Sequence, residues 1–415
     1  MSEVLKKGVE KSNSPFTQAW IRLKRNFIAM LGLYFLCFLF LLAVFGYLII
    51  PDSTPNADNQ ILELQGKNIG FHCKMLKVRH NSNKEKKVFL GLSFLNKMLW
   101  GEDRPYRYRP ILNYKFEDRY IVIKPYNEYG DSYELKLDVS DVYFARSIHK
   151  TDVELKNDVL TYYNVKGEKE DIDINILRKK IEEENIYEHY FFMGSDILGR
   201  DIYSRLILGV RVSLAIGFIT VIISLLLGVF IGSVAGYFRG IVDDVVMWFI
   251  NVVWSIPTLL LVFALILALD RGFWQIFIAV GITMWVEVAR IIRGQVMAVR
   301  EEEFIEASHA LGYSHFRIVF RHILPNIIGP IIVISAANFA AAILIEAGLS
   351  YLGIGVQPPA PTWGGMIRDH YGFLITEKPF LAIIPGLAIV FTVYSINLLG
   401  NGLRDAFDVK SKKLI

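Results

Sequence analysis

The chain has 415 residues, 53% of them hydrophobic, with 45 Lys and Arg against 41 Asp and Glu for a formal net charge of +4. A mean hydropathy of +0.36 is too apolar for an ordinary soluble domain, yet 21% of the residues are charged, so the charge must be segregated along the sequence. The basic residues are scattered through loops rather than gathered on one aromatic-laced face, which argues against a nucleic-acid partner; the two cysteines, Cys37 and Cys73, support neither a disulfide framework nor a cysteine-based zinc site.

A bilayer core of about 30 Å takes roughly 20 residues of apolar helix, and that is the length to look for. The first apolar run, 27–50, holds no charged residue and follows a basic stretch with Lys6, Lys7, Lys11, Arg22, Lys24 and Arg25. A signal peptide also starts basic, but its apolar core is only about 7–15 residues and ends in small residues, unlike the Tyr-Leu-Ile-Ile-Pro found here. The run is predicted to be an uncleaved transmembrane helix, and residues 1–26 a cytoplasmic N-terminal segment.

Residues 51–200 are polar, nearly balanced in charge and without a run able to cross a bilayer. Tyr133, Leu135, Leu137 and Val139 alternate with Glu134, Lys136, Asp138 and Ser140, the period of a half-buried strand. The stretch 153–163 reads as two strands about an Asn157-Asp158 turn, and 174–185 as a short charged helix. A β-rich insert is the expectation. His72 and His80 flank Cys73 in it, but with no further ligands nearby the group is not read as a metal site.

Apolar runs return at 209–236, 244–269, 273–293, 327–348 and 380–400, which makes six spans in all. In the second, Gly228, Gly232 and Gly236 recur every fourth residue, either to let a neighbouring helix approach closely or as ordinary glycine usage in a membrane helix. An even number of spans places both termini on one side. With the N-terminus inside, the cytoplasmic segments carry Arg239, then Arg290, Arg293, Arg300, Arg317 and Arg321, then Arg404, Lys410, Lys412 and Lys413, while the outer turns at 270–272 and 349–378 hold few. Long loops escape this rule, so 51–200 is expected to be extracytoplasmic.

The cytoplasmic stretch 301–313 (EEEFIEASHALGY) has Phe304, Ala307 and Leu311 at helical spacing, with Ala307, Ser308 and Ala310 small enough for another protein to pack closely. Gly312 sits where a left-handed cap would end the helix, and Pro325 is expected to keep the next helix from starting early. Glu306-Ala307-Ser308, Gly312 and His322-Ile323-Leu324-Pro325 together resemble the EAA motif of ABC-importer permeases, E-A-A-x3-G-x9-I-x-L-P. Ser308 departs from it as small for small, and His322 replaces the isoleucine in a form that resembles the peptide and nickel permeases.

The likeness extends to Arg25-Asn26, to 194–205 (GSDILGRDIYSR), to 236–240 (GYFRG) and to 349–364 (LSYLGIGVQPPAPTWG), all similar to the second permease of dipeptide, oligopeptide and nickel importers. It covers roughly 16–50 and 191–410; the stretch 51–190 departs from the family, whose loop there is far shorter. The resemblance implies an all-α polytopic membrane protein of six transmembrane helices with a β-rich insert between helices 1 and 2, the importer domain occupying 201–408 and its coupling loop 294–326. It implies a bacterial inner-membrane permease for di- or oligopeptides, with nickel chelates or glutathione-like solutes as other cargoes. Its partners would be a related permease, two ATPase subunits, an extracytoplasmic substrate-binding protein and membrane lipid. No G-x4-G-K-[ST] phosphate loop occurs, so ATP and Mg belong to the ATPase partners and the chain performs no bond chemistry. The ATPase-coupling residues would be Glu306, Ala307, Ser308, Gly312, His322, Leu324 and Pro325.

Ionisable groups inside spans are costly and need partners or water. Glu287 is expected to pair with Arg290 one turn on. Glu346 is read either as lining a polar cavity that meets a peptide amino group or as half of a structural ion pair. Gln357 and Trp363 lie in a Gly- and Pro-rich outer loop that either dips towards the pathway, contacts a binding protein, or anchors at the interface. A membrane receptor or assembly subunit on a permease scaffold stays open as a different class. An intramembrane protease does not, since neither His-Glu-x-x-His nor Gly-x-Ser-x-Gly occurs at bilayer depth.

Overall fold

A computed structural model describes residues 15–80, 93–102, 106–127, 133–145, 153–164, 167–269, 272–376 and 378–407. The chain divides into a unit built from 1–43, 209–369 and 382–415 and a second built from 44–208 and 370–381.

The first unit is helical. Helix α1 (Pro15–Arg25) buries Ala19 and Leu23 against Ala29 and Ala406, and Arg22 donates to the Ala406 carbonyl at 3.2 Å. Asn26 then caps α2 (Phe27–Ile49), its side-chain oxygen accepting from the Ala29 amide at 3.1 Å. The basic N-terminal segment thus ends in a packed helix that its sequence did not announce. Helix α6 (Ile202–Phe238) follows the insert, and with 37 residues and a rise of about 1.5 Å each it exceeds the expected 209–236 at both ends. Helices α7 (Gly240–Trp254), α8 (Thr258–Leu269), α9 (Phe273–Arg300), α13 (Ile328–Tyr351) and α15 (Phe380–Phe407) complete the bundle. Among the described residues five helices are long and apolar enough to cross a membrane, six if the pair α7 and α8 counts as one span.

That pair corrects the expectation of one helix over 244–269. The axis bends by 89° between α7 and α8. Pro257 is the physical reason, because it has no N–H to continue the ladder and its ring clashes with the preceding turn. The glycine ladder is resolved in favour of close packing. A Cβ on Gly228 would lie 2.4 Å from Val288 Cβ, on Gly232 2.4 Å from the Ala289 carbonyl oxygen, and on Gly236 2.6 Å from that of Arg293, so α6 and α9 meet backbone to backbone. At the turn into α7, Arg239 holds φ +59 and pairs with Glu301 at 2.5 Å, while Arg293 clasps the buried Asp243 with both of its forks. Residues 315–326 correct a second expectation. They are helical throughout, as α11 (His315–Ile318), a π-turn over Val319–Ile323 and α12 (Leu324–Asn326), so Pro325 does not delay the next helix. The wider π-turn just before it removes the need for the proline's missing N–H.

The second unit carries the β-rich insert. Strands β1 (Phe71–Arg79), β2 (Tyr106–Glu117), β3 (Tyr120–Pro125), β4 (Leu135–Asp138) and β8 (Ile186–Phe191) form an antiparallel sheet in the order β4-β3-β2-β1-β8, and β5 (Glu154–Lys156), β6 (Val159–Tyr163) and β7 (Lys169–Asp173) form a second. The β5–β6 turn is the expected Asn157-Asp158, with φ of 50 and 61 at the two residues, the left-handed pair of a two-residue hairpin. The alternation through 133–140 ends early as a strand. Asp138 leaves the ladder to cap the helix Val139–Tyr143 by accepting from the Ser140 amide at 3.0 Å. The expected helix at 174–185 is Ile174–Lys180 continued by a π-turn over Ile181–Asn185. Leu76, Ile111, Ile121, Ile123, Leu160, Ile174, Leu177 and Ile181 close one core beneath both sheets.

The insert's two ends lie side by side. The Ser195 amide donates to the Lys67 carbonyl at 3.1 Å, and the Gly66 amide to that of Asp196 at 2.8 Å. Arg200 locks this neck, pairing with Asp196 at 2.6 Å and Asp58 at 3.0 Å.

Candidate coupling surface and membrane-depth polar residues

The short helix α10 (Glu303–Ala310) is held by its inner face and presents its outer one. Ile305 is fully buried with Val288, Ile292, Val296, Ile318 and Ile323. Ser308 is 5% exposed and donates its hydroxyl to the Phe304 carbonyl at 2.8 Å. Ser308 is therefore turned into its own chain, which corrects its reading as a small surface residue. Glu306 and Ala307 are exposed, and Phe304 and Leu311 stand 43% and 70% exposed beside them. Two large apolar side chains with a carboxylate at their centre are what a protein partner can bury and orient.

The helix stops where the spacing of Gly312 predicts. Gly312 has φ +76, its amide donates to the His309 carbonyl at 2.9 Å, and the next amide, Tyr313, reaches back to Ser308 at 3.2 Å. These two bonds form a Schellman cap and satisfy carbonyls the helix end would leave open. Beyond it, His322 stacks on Tyr313 with centroids 5.7 Å apart, while Leu324 is half-buried and Pro325 exposed. The seven residues of the expected coupling set thus gather on one segment, but only Glu306, Ala307, Gly312 and Pro325 are exposed on it.

Tyr237 was missed from the sequence. It ends α6 almost fully buried, and its hydroxyl meets His315 Nδ1 at 2.8 Å and His309 Nε2 at 3.3 Å, so one phenol ties the long span to both sides of the Gly312 turn. Arg300 lies over its ring at 5.7 Å. An aromatic residue closing an apolar run next to a Gly-x-x-x-Gly ladder was the available signal.

The residues assigned to the pathway or outer loop fall otherwise. Glu346 is 1% exposed and accepts from Ser350 Oγ at 2.7 Å, with Thr362 Oγ1 3.5 Å further on. Among the described residues it meets no cation, and the Ser350 hydroxyl one turn on in the same helix closes over it. Gln357 is exposed but its amide staples its own loop, donating to the carbonyls of Gly353 at 3.3 Å and Gly355 at 2.8 Å. Trp363 is 1% exposed and starts α14 (Trp363–His370); a Cβ on Gly209 would sit 2.8 Å from its Cδ1, so the indole is packed on α6 rather than anchored at an interface. The Glu287–Arg290 ion pair is absent. Arg290 lies 4.1 Å above the Trp254 ring, and Glu287 is exposed with no hydrogen-bond or ion-pair partner among the described residues. In the insert, His72 lies 3.7 Å from Glu188, and no group of three metal-ligating side chains occurs among the described residues.

Comparison with known proteins gives this arrangement its family. Residues 228–413 match the binding-protein-dependent transport system inner membrane component family, and residues 14–65 match the N-terminal TM domain of oligopeptide transport permease C. The chain is 41% identical over 226 residues to the oligopeptide transport system permease protein OppC of Bacillus subtilis (strain 168), covering 54% of this chain and 73% of that one. It is 38% identical over 221 residues to the glutathione transport system permease protein GsiD of Pectobacterium atrosepticum, covering 53% and 73%. With the dipeptide transport system permease protein DppC of Bacillus subtilis (strain 168) the identity is 38% over 242 residues, covering 58% and 75%. On the strength of matches that run through both the first span and the α9–α13 segment, the chain belongs to the binding-protein-dependent transport system inner membrane component family and is a multi-pass permease subunit of the ABC importer type.

Proposed function

We propose that this chain is one of two permeases of an ATP-driven importer for di- or oligopeptides, with both termini cytoplasmic, the insert outside, and α10 docked on an ATPase subunit that holds the ATP and Mg. The observation that carries the reading is the display on α10: Glu306 and Ala307 exposed between Phe304 and Leu311, on a helix fixed from behind by Ile305 and ended by Gly312. Such a helix moves as a unit with whatever grips it. Tyr237 joins it to α6, so a push from a closing ATPase dimer reaches a membrane-spanning helix through one hydrogen-bonded contact. Peptide cargo is supported by the oligopeptide and dipeptide permeases among its relatives. A glutathione-like solute is the second reading, favoured by the GsiD match. A soluble binding protein on the outer side would deliver either.

The test is ATP-dependent uptake of labelled peptides by the reconstituted complex, with wild type beside Glu306→Ala and Gly312→Val. Both variants are expected to insert and assemble but to lose most uptake per ATP hydrolysed. Valine at φ +76 carries a left-handed penalty of roughly 1–2 kcal/mol, concentrated at the end of α10. Full uptake in Glu306→Ala would remove the docking role.

A further inference from the structure

Glu287 and Arg290 sit where a membrane helix carries charge only for a reason. Helix α9 has 28 residues, and Glu287 is its fifteenth, about 21 Å from either end at 1.5 Å per residue. The apolar run of this helix ends at 293, so Glu287 lies about 9 Å inside the inner edge of a hydrocarbon layer about 30 Å thick. Its carboxylate is exposed and meets no hydrogen-bond or ion-pair partner among the described residues. A bare carboxylate facing lipid at that depth is costly enough that such groups face a bundle interior or water instead.

A second observation points to the same face. The break between α7 and α8 exposes Ser255, Ile256, Pro257 and Thr258. Irregular backbone at membrane depth is tolerated only where it is buried in protein or lines an aqueous cavity. The break lies level with Glu287. Val262 and Ile266 of α8 share a core with Phe277, Val280 and Met284 of α9. Trp254, the last residue of α7, is the ring under Arg290. Two features intolerable to lipid therefore meet on one surface, and a cation and an anion one helical turn apart are its polar content.

We infer that Glu287 and Arg290 form a subsite of the translocation pathway that takes the terminal charges of a zwitterionic peptide, Glu287 receiving the ammonium group and Arg290, braced on Trp254, the carboxylate. This rests on the peptide reading above. Arg290 keeps guanidinium N–H groups in its plane free to form a forked pair with a carboxylate while its face stays on the indole. The unpaired Glu287 has its acceptors uncommitted until cargo arrives.

The experiment uses the assembled transporter in vesicles. In a Cys37→Ser background, Glu287→Cys is expected to react with a charged trimethylammonium methanethiosulfonate reagent, and trialanine is expected to slow the reaction several-fold. Glu287→Gln should raise the KM for trialanine about tenfold and abolish the preference for trialanine over its N-acetyl form; Arg290→Gln should do the same against the C-terminal amide. No modification of Glu287→Cys overturns the proposal. So does unchanged selectivity in Glu287→Gln while wild type still takes up peptide, a result that leaves the importer reading standing. Loss of assembly in Glu287→Gln with selectivity intact would make the carboxylate an interface group and likewise overturn it. Absence of uptake of any peptide by wild type would remove the peptide cargo itself and this assignment with it.

Discussion

Asp201 illustrates how much a single buried group in this chain depends on surroundings that no local pattern reveals. It is 4% exposed, its Oδ2 accepts from the Ser204 amide at 2.9 Å, and its Oδ1 has no partner. Burial, with the neighbouring Asp52 carboxylate adding to it, pushes its pKa from the ordinary 3.8 up to about 6. The folded state therefore holds this proton more tightly than the unfolded one. The stability that proton brings is complete below about pH 4 and is lost as the pH rises through 6. Asp201→Asn is expected to flatten the pH dependence of thermal unfolding between pH 4 and 7 and to raise stability at pH 7 by about 3 kcal/mol, read from melting of the purified protein. Residues of local consequence were legible in the sequence. Gly312 is one, because a cap depends only on the helix before it. Trp363 was not, since Gly209, which decides its role, is brought to it from 154 residues away by helix packing; for Glu346 the Ser350 hydroxyl is local, one turn on in its own helix, and only Thr362 comes from outside that helix.

Among the elements, the pairing of α6 with α9 has the clearest physical signature. Three glycines one turn apart remove every side chain that would hold the two backbones apart, and dispersion between packed helices takes the place of the hydrophobic effect inside a membrane. Gly232→Val would place a methyl-bearing carbon 2.4 Å from the Ala289 carbonyl oxygen, a backbone atom that cannot rotate away. The expected outcome is a marked loss of detergent-solubilised complex, measured by size-exclusion chromatography and melting, with Gly294→Val as the comparison, since no atom lies within 4 Å of a Cβ there. Intact complex from Gly232→Val would mean that α6 and α9 are free to separate. Helix existence was readable from apolar runs, yet the 89° break was not placed, because hydropathy averages over Pro257 and reports only that 244–269 is greasy. The helical character of 315–326 was hidden for the opposite reason. Pro325 argued for a boundary, and the π-turn that absorbs it has no sequence signature.

At the scale of the molecule, the family matches bracket the insert: one ends at residue 65 and the other begins at 228. The neck explains how so long an addition is carried. Its two ends leave and return through the bonds between Gly66 or Lys67 and Ser195 or Asp196, and Arg200 clamps them with Asp58 and Asp196. Replacing 69–192 with a short glycine linker is expected to leave the helical unit folded and the complex assembled, because neighbouring ends cost little chain entropy to join. Assembly and uptake of the shortened chain check this separately: failed assembly would make the insert a structural part of the permease, while assembled but inactive transporter would give it a part in transport. That the insert is β-rich was visible in period-two alternation; that its ends touch was not, because the contact joins residues 128 apart.

The packing of α2 has a consequence for the order in which the protein is made. A Cβ on Gly32 would lie 2.6 Å from the Ser395 carbonyl, Phe35 faces Phe391, and Gly402 accommodates Ala29, so α2 finds a partner in α15, far along the chain. Between α2 and α15, more than three hundred residues are synthesised. In that interval α2 can already meet α6, where a Cβ on Gly46 would lie 3.1 Å from Ile207 Cγ2, and its contact with α15 forms only when that helix arrives. Biogenesis of this permease is thus a ring-closing process, in which the C-terminal helix acts as the clasp.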